Sequence, residues 1–411
     1  MKKLRLLTIL IFCTFTAAQL QAQMTFRLKS APADLSVYFN DELIRPVSTS
    51  GTIREYRIPA AGTLRFSASG YRSIELNSAR LPLTRGQADI KLENEKGVLS
   101  YIGEYKTGKQ PKSAYFSPNG QRLFVPLLDD KGIDVFRVAG QSLQYEKRLE
   151  PGPKPGFVEA MFDERRRELW ISSMFEDKVY VFNLDTLDLL SSHSTGGTLP
   201  KVITQSPDGA LTLVSNWVSM NISVFDSDSK KLLRRIPTGG IPRGMAFSPD
   251  GSLVYAAIYD TATVAVIDMT ASKVIKRWRY NEGAGAARHI IYRDDKLYVS
   301  DMLWGSVTIM NATTGAVIKS ARLGPNINTI TMSVDGRYIF ASSRGKNNPA
   351  DYTIPGPDFG AVFMLNAQDL TIIDKVWGRN QPTGLAVSPD GKLLVFTDFL
   401  DANLELYRIE R

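Results

Sequence analysis

The sequence predicts an all-β chain: a seven-bladed β-propeller over residues 97–411, closed by a strand from its own N-terminal side, and a small β-sandwich over 23–95. Three observations carry this prediction. A four-residue motif recurs five times, as Ser117-Pro118-Asn119-Gly120, Ser206-Pro207-Asp208-Gly209, Ser248-Pro249-Asp250-Gly251, Ser333-Val334-Asp335-Gly336 and Ser388-Pro389-Asp390-Gly391. Its glycines are 89, 42, 85 and 55 residues apart, which fits a unit of about 43 residues with two degenerate copies and one insertion. Helix signals are scarce, whereas Val/Ile/Tyr/Phe runs bounded by Gly, Pro, Asn and Asp fill the chain.

Taken in chain order, the first segment is an export signal. Lys2, Lys3 and Arg5 precede the apolar run Leu6–Phe15, and Leu20-Gln21-Ala22 offers a small-residue cleavage site near Ala22. The run is too short to span a bilayer, so the mature chain is expected to carry no transmembrane segment and to be periplasmic, cell-surface or extracellular. The sole cysteine, Cys13, lies inside this segment. A mature chain without cysteine and with only His193 and His289 excludes Cys-bound zinc, haem and iron–sulfur sites and His-rich metal centres. No cofactor and no metal is expected.

The stretch 24–95 contains "FRLKSAPADLSVYFNDELI", "PAAGTLRFSASGYRSIEL" and "ADIKLE", which read as a small antiparallel sandwich, with "LENEKG" (92–97) as the boundary. "GVLSYIGEY" (97–105) then stands before the first repeat without a partner. The last repeat ends at Arg411 after three strands, so the lone strand should complete it and remove two exposed edges.

Each Ser-Pro-Asp-Gly turn joins the first strand of a blade to the second. Pro presets φ, Asp or Asn bonds the local backbone, and Gly takes the left-handed corner. "AMFDERRRELWIS" (160–172) and "IIYRDDKLYVS" (290–300) keep the two strands and lose the turn, which places first strands near Ala114, Ala160, Ile203, Met245, Ile290, Ile330 and Leu385. These blades resemble YVTN/YncE-type repeats of exported bacterial propellers, over roughly 98–411. The order Ala-Pro-Ala-Asp…Val-Tyr-Phe-Asn, then Gly-Tyr, in 31–71 is similar to PEGA-type modules of envelope proteins. The first resemblance implies the fold; it leaves function open, because such scaffolds carry binding proteins and enzymes alike.

Charge narrows the function. The formal net charge falls from +8 to +5 once Lys2, Lys3 and Arg5 are removed, and Arg165-Arg166-Arg167 sits in one turn as a solvated surface. Aligning the blades instead puts Lys112, Val158, Lys201, Arg243, Arg288, Asn328 and Thr383 in one column at the channel mouth, with His289 one position further on. Loops between second and third strands bring Phe175, Trp217, Tyr259, Trp304 and Phe399 to the same face, as well as the insertion 343–360. Aromatics there also seal blade junctions, but convergent cations ringed by aromatics suit an anionic ligand with a flat or apolar portion. The expected partner is an anionic small molecule, a glycan or a protein segment, including one of an envelope-associated protein; YncE-like relatives imply single-stranded nucleic-acid binding, which an exported location argues against.

A second reading is enzymatic. "GAARHIIYRDDKLYVSDMLWGSVTIMN" (285–311) resembles the Pro-Arg-His segment of seven-bladed lactonases. Arg288 and His289 match, whereas Ala287 stands for the Pro and Ser300-Asp301 for the expected Asn-Glu. The resemblance implies lactone opening with Arg288 polarising the carbonyl beside His289, and Asp301 or Glu159 as base. Glu159, Asn216, Asn328, Asp301 and Asp398 could supply oxygen ligands to calcium, but four nearby cations oppose it.

Overall fold

The computed structural model describes residues 23–410; the signal segment, its cleavage site and Cys13 lie outside the described residues. Among these, strands account for nearly all regular structure, with two single-turn 3₁₀ segments, Ser78–Arg80 and Met174–Glu176. No helix among them is long and apolar enough to cross a membrane.

Seven four-stranded sheets form the propeller. Six run in simple sequence order, their first strands being Tyr115–Phe116, Phe157–Asp163, Pro200–Gln205, Pro242–Phe247, Ala287–Arg293 and Ile327–Met332. The seventh combines Pro382–Val387, Leu393–Asp398 and Asn403–Ile409 with Leu99–Lys106, which pairs antiparallel to Asn403–Ile409 from Leu99↔Ile409 to Lys106↔Asn403. The expected closure is therefore present, and apolar packing backs it. Ala114, Phe116, Leu123 and Val125 of the first sheet share one core with Ala386, Val395, Leu404 and Leu406 of the last.

The repeated turn has a more specific cause than proline and glycine alone. In residues 206–211 the Ser206 hydroxyl donates to Asp208 Oδ1 (2.5 Å) and accepts from the Leu211 N–H (2.9 Å), while Asp208 Oδ1 accepts from the Ala210 N–H (3.0 Å). Gly209 holds φ +70° and donates its N–H to the Ser206 carbonyl. The serine–carboxylate pair recurs at Ser248–Asp250, Ser333–Asp335 and Ser388–Asp390. The serine hydroxyl thus bridges both strand ends. Arg166 departs from its expected role as solvated surface: its guanidinium bonds Asp163, which is fully buried, and the Gly209 carbonyl of the next blade. It also pairs with Asp228 of that next blade (2.6 Å), so a degenerate blade has substituted an inter-blade ion pair for the missing turn.

Before the propeller lie two sheets packed face to face. One orders Ser48–Ser50, Ile53–Pro59, Gln23–Ala31, Gln87–Lys91 and Leu83–Thr84; the other orders Glu42–Ile44, Ser36–Phe39, Thr63–Ser67 and Ile74–Asn77. Phe26, Leu28, Tyr56 and Ile58 of the first meet Val37, Phe39, Leu64 and Phe66 of the second. The sandwich is not wholly antiparallel, because Gln23–Ala31 and Gln87–Lys91 pair in parallel. After the first strand the chain alternates between the two sheets, pairing Ile53–Pro59 on one side of its start and returning with Gln87–Lys91 on the other, which a simple hairpin succession could not do.

This sandwich is bound to the propeller by buried polar contacts. Lys91 Nζ lies 2.5 Å from both carboxylate oxygens of Glu405, whose side chain is fully buried in the seventh sheet, and Glu405 also accepts from the Tyr407 hydroxyl (2.9 Å). Asn94 and the Leu99 N–H share the carboxylate of Asp374. Breaking a buried pair costs about 3–5 kcal/mol because the remaining charge has no partner. Lys91→Met should therefore lower the unfolding free energy by about that amount, and Lys91→Met with Glu405→Met should recover much of it. Denaturant titration of the two variants checks this; equal loss in both would place the effect elsewhere.

Candidate functional site

One hydrogen bond, repeated seven times, builds the mouth of the propeller. In each sheet the residue leaving the second strand donates its N–H to the carbonyl two positions before the residue that starts the inner column. The pairs are Leu128→Gln110, Met174→Gly156, Trp217→Leu199, Tyr259→Ile241, Met302→Ala286, Arg344→Asn326 and Phe399→Gln381, at 2.8–3.1 Å. Two columns of side chains are thereby set side by side around the ring. The inner column is the aligned set Lys112, Val158, Lys201, Arg243, Arg288, Asn328 and Thr383. A third interaction fixes its carbonyls: Ser172, Ser215, Ser300 and Ser342 each donate a hydroxyl to the inner-column carbonyl of the following blade, at Lys201, Arg243, Asn328 and Thr383 (2.7–3.1 Å).

Both columns open on one cavity of about 370 Å³. Lys112, Lys201, Arg243 and Arg288 line it, as the alignment predicts, with Trp217, Tyr259, Phe175 and Phe399. Three expected residues do not. Trp304 is turned aside, its Nε1 donating to the Ala284 carbonyl (2.6 Å) and its ring lying under Arg322; Met302, two residues earlier, takes the equivalent place on the cavity. Asn328 is fully buried off the cavity wall, with neither amide atom hydrogen-bonded among the described residues. His289 lies off it too; its Nδ1 has no partner, and burial first, then Arg288 and Arg243 against Glu159, hold its pKa below the ordinary imidazole value.

The structure also adds a cation. Arg344, at the start of the 343–360 insertion, joins the other four, together with Asn347 and Tyr352 from the same loop and Met174 and Met302 from the second column. Lys112, Lys201, Arg243 and Arg344 are only 4–7% exposed, yet none of the five cations has a carboxylate within 4.0 Å among the described residues. Their partners are rings, sulfurs and, for Arg344, the Gln381 amide oxygen. Lys201 sits 4.8 Å and Arg243 5.1 Å from the Trp217 ring centroid, Arg243 5.6 Å from that of Tyr259, Lys112 5.1 Å and Arg344 5.3 Å from that of Phe399. Lys201 also contacts the Met174 sulfur, and Arg288 that of Met302 (3.3 Å).

Burial and mutual repulsion act in the same direction on this cluster. Desolvation, followed by Arg288, Arg344, Lys201 and Arg243, pushes the Lys112 pKa well below that of a free lysine; desolvation, then Arg243 and Arg288, does the same to Lys201. Arg288 is held well below the usual guanidinium value by burial and then by Arg243 and Arg344, and Arg344 is brought down to about 10, mainly by burial. Glu159 opposes these downward shifts on Lys201, Arg243 and Arg288, and its Oε2 accepts from the Tyr115 hydroxyl (2.5 Å).

The geometry bears on the lactonase-like set as well. Asp301 is fully buried, and its carboxylate accepts from the Tyr280 hydroxyl (2.7 Å) and the N–H groups of Ala286 (3.1 Å) and Trp304 (3.0 Å). It anchors the loop entering its own blade and is not oriented as a base. Of Arg288, His289, Asp301 and Glu159, only Arg288 lines the cavity. No group of three or more His, Cys, Asp or Glu residues able to hold a metal occurs among the described residues.

The insertion reaches the mouth because the N-terminal sandwich holds it. Lys29, 2% exposed, donates to the Gly356 carbonyl (2.9 Å) and Asn380 Oδ1 (2.5 Å) and lies 4.4 Å from the Phe359 ring centroid. Thr52 donates to the Pro357 carbonyl (2.6 Å). On the cavity side, Arg344 donates to Gln381 Oε1, and Gln381 Nε2 to the Tyr352 carbonyl (2.6 Å).

A ring of four-stranded sheets around a cation-lined mouth defines a binding-competent β-propeller scaffold, and comparisons with known proteins agree on the class. The YNCE-like beta-propeller family model matches residues 100–252. Antigen Lp49 of Leptospira interrogans serogroup Icterohaemorrhagiae serovar copenhageni is 33% identical over 354 residues, covering 84% of this chain and 77% of the antigen. The chain belongs to the β-propeller family that includes antigen Lp49. Solved structures share the fold: a chain of Kuenenia stuttgartiensis hydrazine synthase superposes with TM-score 0.61 at 20% identity, covering 74% of this chain and 97% of its own length. A chain of the mitotic checkpoint complex gives 0.62 at 13%, covering 77% and 94%.

Lys29→Met should release the insertion by removing its bonds to Gly356 and Asn380. Leaving buried acceptors unmet costs about 1–3 kcal/mol each. Limited proteolysis should then cut within 346–357 several-fold faster than in the unaltered chain, while the propeller core stays resistant. An unchanged cleavage rate would show that the sandwich does not hold this loop.

Proposed function

We propose that this protein is an exported binding propeller of the cell envelope whose channel mouth takes up the multiply charged end of an anionic ligand. The observation that carries the reading is the set of five converging, largely buried cations with no carboxylate within ion-pair distance among the described residues. Such a cluster is unfavourable on its own; a bound anion supplies the missing counter-charge, and a concave, partly desolvated mouth focuses the summed potential. The relative named as an antigen supports placement at the envelope, as does the signal segment read from residues 1–22. The PEGA-like reading of 23–95 fits the same location.

Geometry refines the ligand. The ring faces of Trp217, Tyr259 and Phe399 are engaged by Lys201, Arg243, Lys112 and Arg344, so these three rings buttress cations. A compact group with two or more charges, phosphoryl or paired carboxylate, suits this mouth better than a planar monoanion. A small-molecule phosphate, an acidic glycan and an acidic protein segment can each present such a group.

Calorimetric titration with inorganic pyrophosphate tests the reading. Saturable binding should weaken as salt rises, because part of it is screened Coulomb attraction. Arg243→Glu with Arg288→Glu should abolish it, and Arg165→Glu, on an exposed turn, should leave it unchanged. Affinity indifferent to both salt and the double reversal would contradict the assignment. Arg288→Gln alone should weaken binding while raising the stability of the unliganded protein by on the order of 1 kcal/mol, the scale of relieving one pK unit of unfavourable charge. Thermal melting without ligand reads the second effect.

A further inference from the structure

A second cavity, of about 360 Å³, lies where the sandwich meets the sixth sheet and the insertion. Its walls are largely apolar, with Phe359, Phe363, Ala361 and Pro325 facing Lys375 and Trp377. Phe359 and Phe363 are each 4% exposed, so these walls are fixed by packing. Ser30, Ala33 and Thr52 of the sandwich complete the lining.

The polar groups inside it are unevenly matched. Asp358 Oδ2 faces Lys346 Nζ at 3.3 Å, and its charge also acts on Lys29, so the one acid of the lining has cations beside it, although Oδ1 is buried without a hydrogen-bond partner. Lys375 is different. Its ammonium has no carboxylate within 4.0 Å among the described residues; it lies 3.4 Å from the Trp377 ring centroid and 5.4 Å from that of Phe363. Trp377 Nε1 is buried, with no acceptor among the described residues. Apolar walls with a few convergent, unsatisfied polar groups at a junction between folded units are the usual makings of a small-ligand site.

We propose that this junction cavity binds a small apolar monocarboxylate, its acid group on Lys375 and its hydrocarbon or aromatic body against Phe359 and Phe363. The site is separate from the mouth and takes a different class of anion: one charge with a large apolar part, where the mouth takes several charges on a compact group. Burial alone brings the Lys375 pKa down to about 8. A bound carboxylate favours the protonated amine, so affinity should fall as pH rises above about 8, where the unliganded lysine loses its proton. Asp358, Lys346 and Lys29 are the other charged groups at this junction, and burial lowers the pKa of Lys29 as it does that of Lys375.

The probe is 2-naphthoate, with neutral 2-naphthamide as the isostere, titrated calorimetrically into the full mature chain. Naphthoate should bind saturably. Lys375→Met should lower its affinity by ~10-fold or more, as expected for loss of a charge-assisted hydrogen bond, and leave naphthamide unchanged; Lys375→Arg should keep most of the naphthoate affinity. Arg243→Glu with Arg288→Glu should not alter it. Naphthoate that fails to bind, binds Lys375→Met equally well, or is lost in the double reversal would overturn the proposal; the last result would place the probe in the mouth.

Discussion

The repeated main-chain hydrogen bond from the residue leaving each second strand to the loop entering the first is the constraint on which the site depends. It is made by backbone, so it tolerates any side chain at either end. Seven repetitions set two columns of side chains around the ring, eleven of which line the mouth, and serine hydroxyls of neighbouring blades hold four of the inner column's carbonyls in place. Side-chain chemistry at the mouth can therefore vary without disturbing the scaffold. That independence explains how five cations can be gathered where none has an acid partner: strand pairing and apolar inter-blade packing bear the stability, and the mouth is free to be electrostatically unfavourable.

Ring closure and the sandwich serve the same end from outside. The seventh sheet uses both ends of the propeller chain, and its buried Glu405 is met by Lys91 of the sandwich. From the same small domain Lys29 and Thr52 hold the insertion that carries Arg344 and Tyr352. The sandwich is thus a structural part of the mouth although it contributes no side chain to it. Its parallel strand pair brings the chain back beside its own start, next to the propeller edge it must close.

Much of this was legible in the sequence because a repeat carries its own alignment. The Ser-Pro-Asp-Gly spacing gave the blades, and the inner column followed by register, including its four cations, all of which line the cavity. The second column was legible by the same rule, yet choosing residues by aromatic character selected Trp304 where the register selects Met302. Arg344 lay one residue past a second strand, in the place where Trp217 and Tyr259 stand in their blades; the long insertion behind it masked the match. His289 and Asn328 were placed correctly along the strand, but the direction of a side chain at a strand end depends on twist and neighbours, which one sequence does not display. The contacts of Lys29 and Lys91 join residues more than 300 positions apart, and no local pattern announces them.

The central claim is that the mouth is a store of uncompensated positive charge awaiting an anion. The most direct measurement is thermal stability between pH 7 and 10, with and without saturating pyrophosphate, in the unaltered chain and in Lys112→Met with Lys201→Met. Lys112 and Lys201 have folded-state pKa values below that of an unfolded lysine, so the unfolded chain binds more protons and stability must rise with pH across that interval. Pyrophosphate at 100 times its dissociation constant should add about 2.7 kcal/mol at the lower end. The double substitution should flatten the pH profile and remove most of the pyrophosphate increment. A profile already flat in the unaltered chain, with no increment from the anion, would contradict the account.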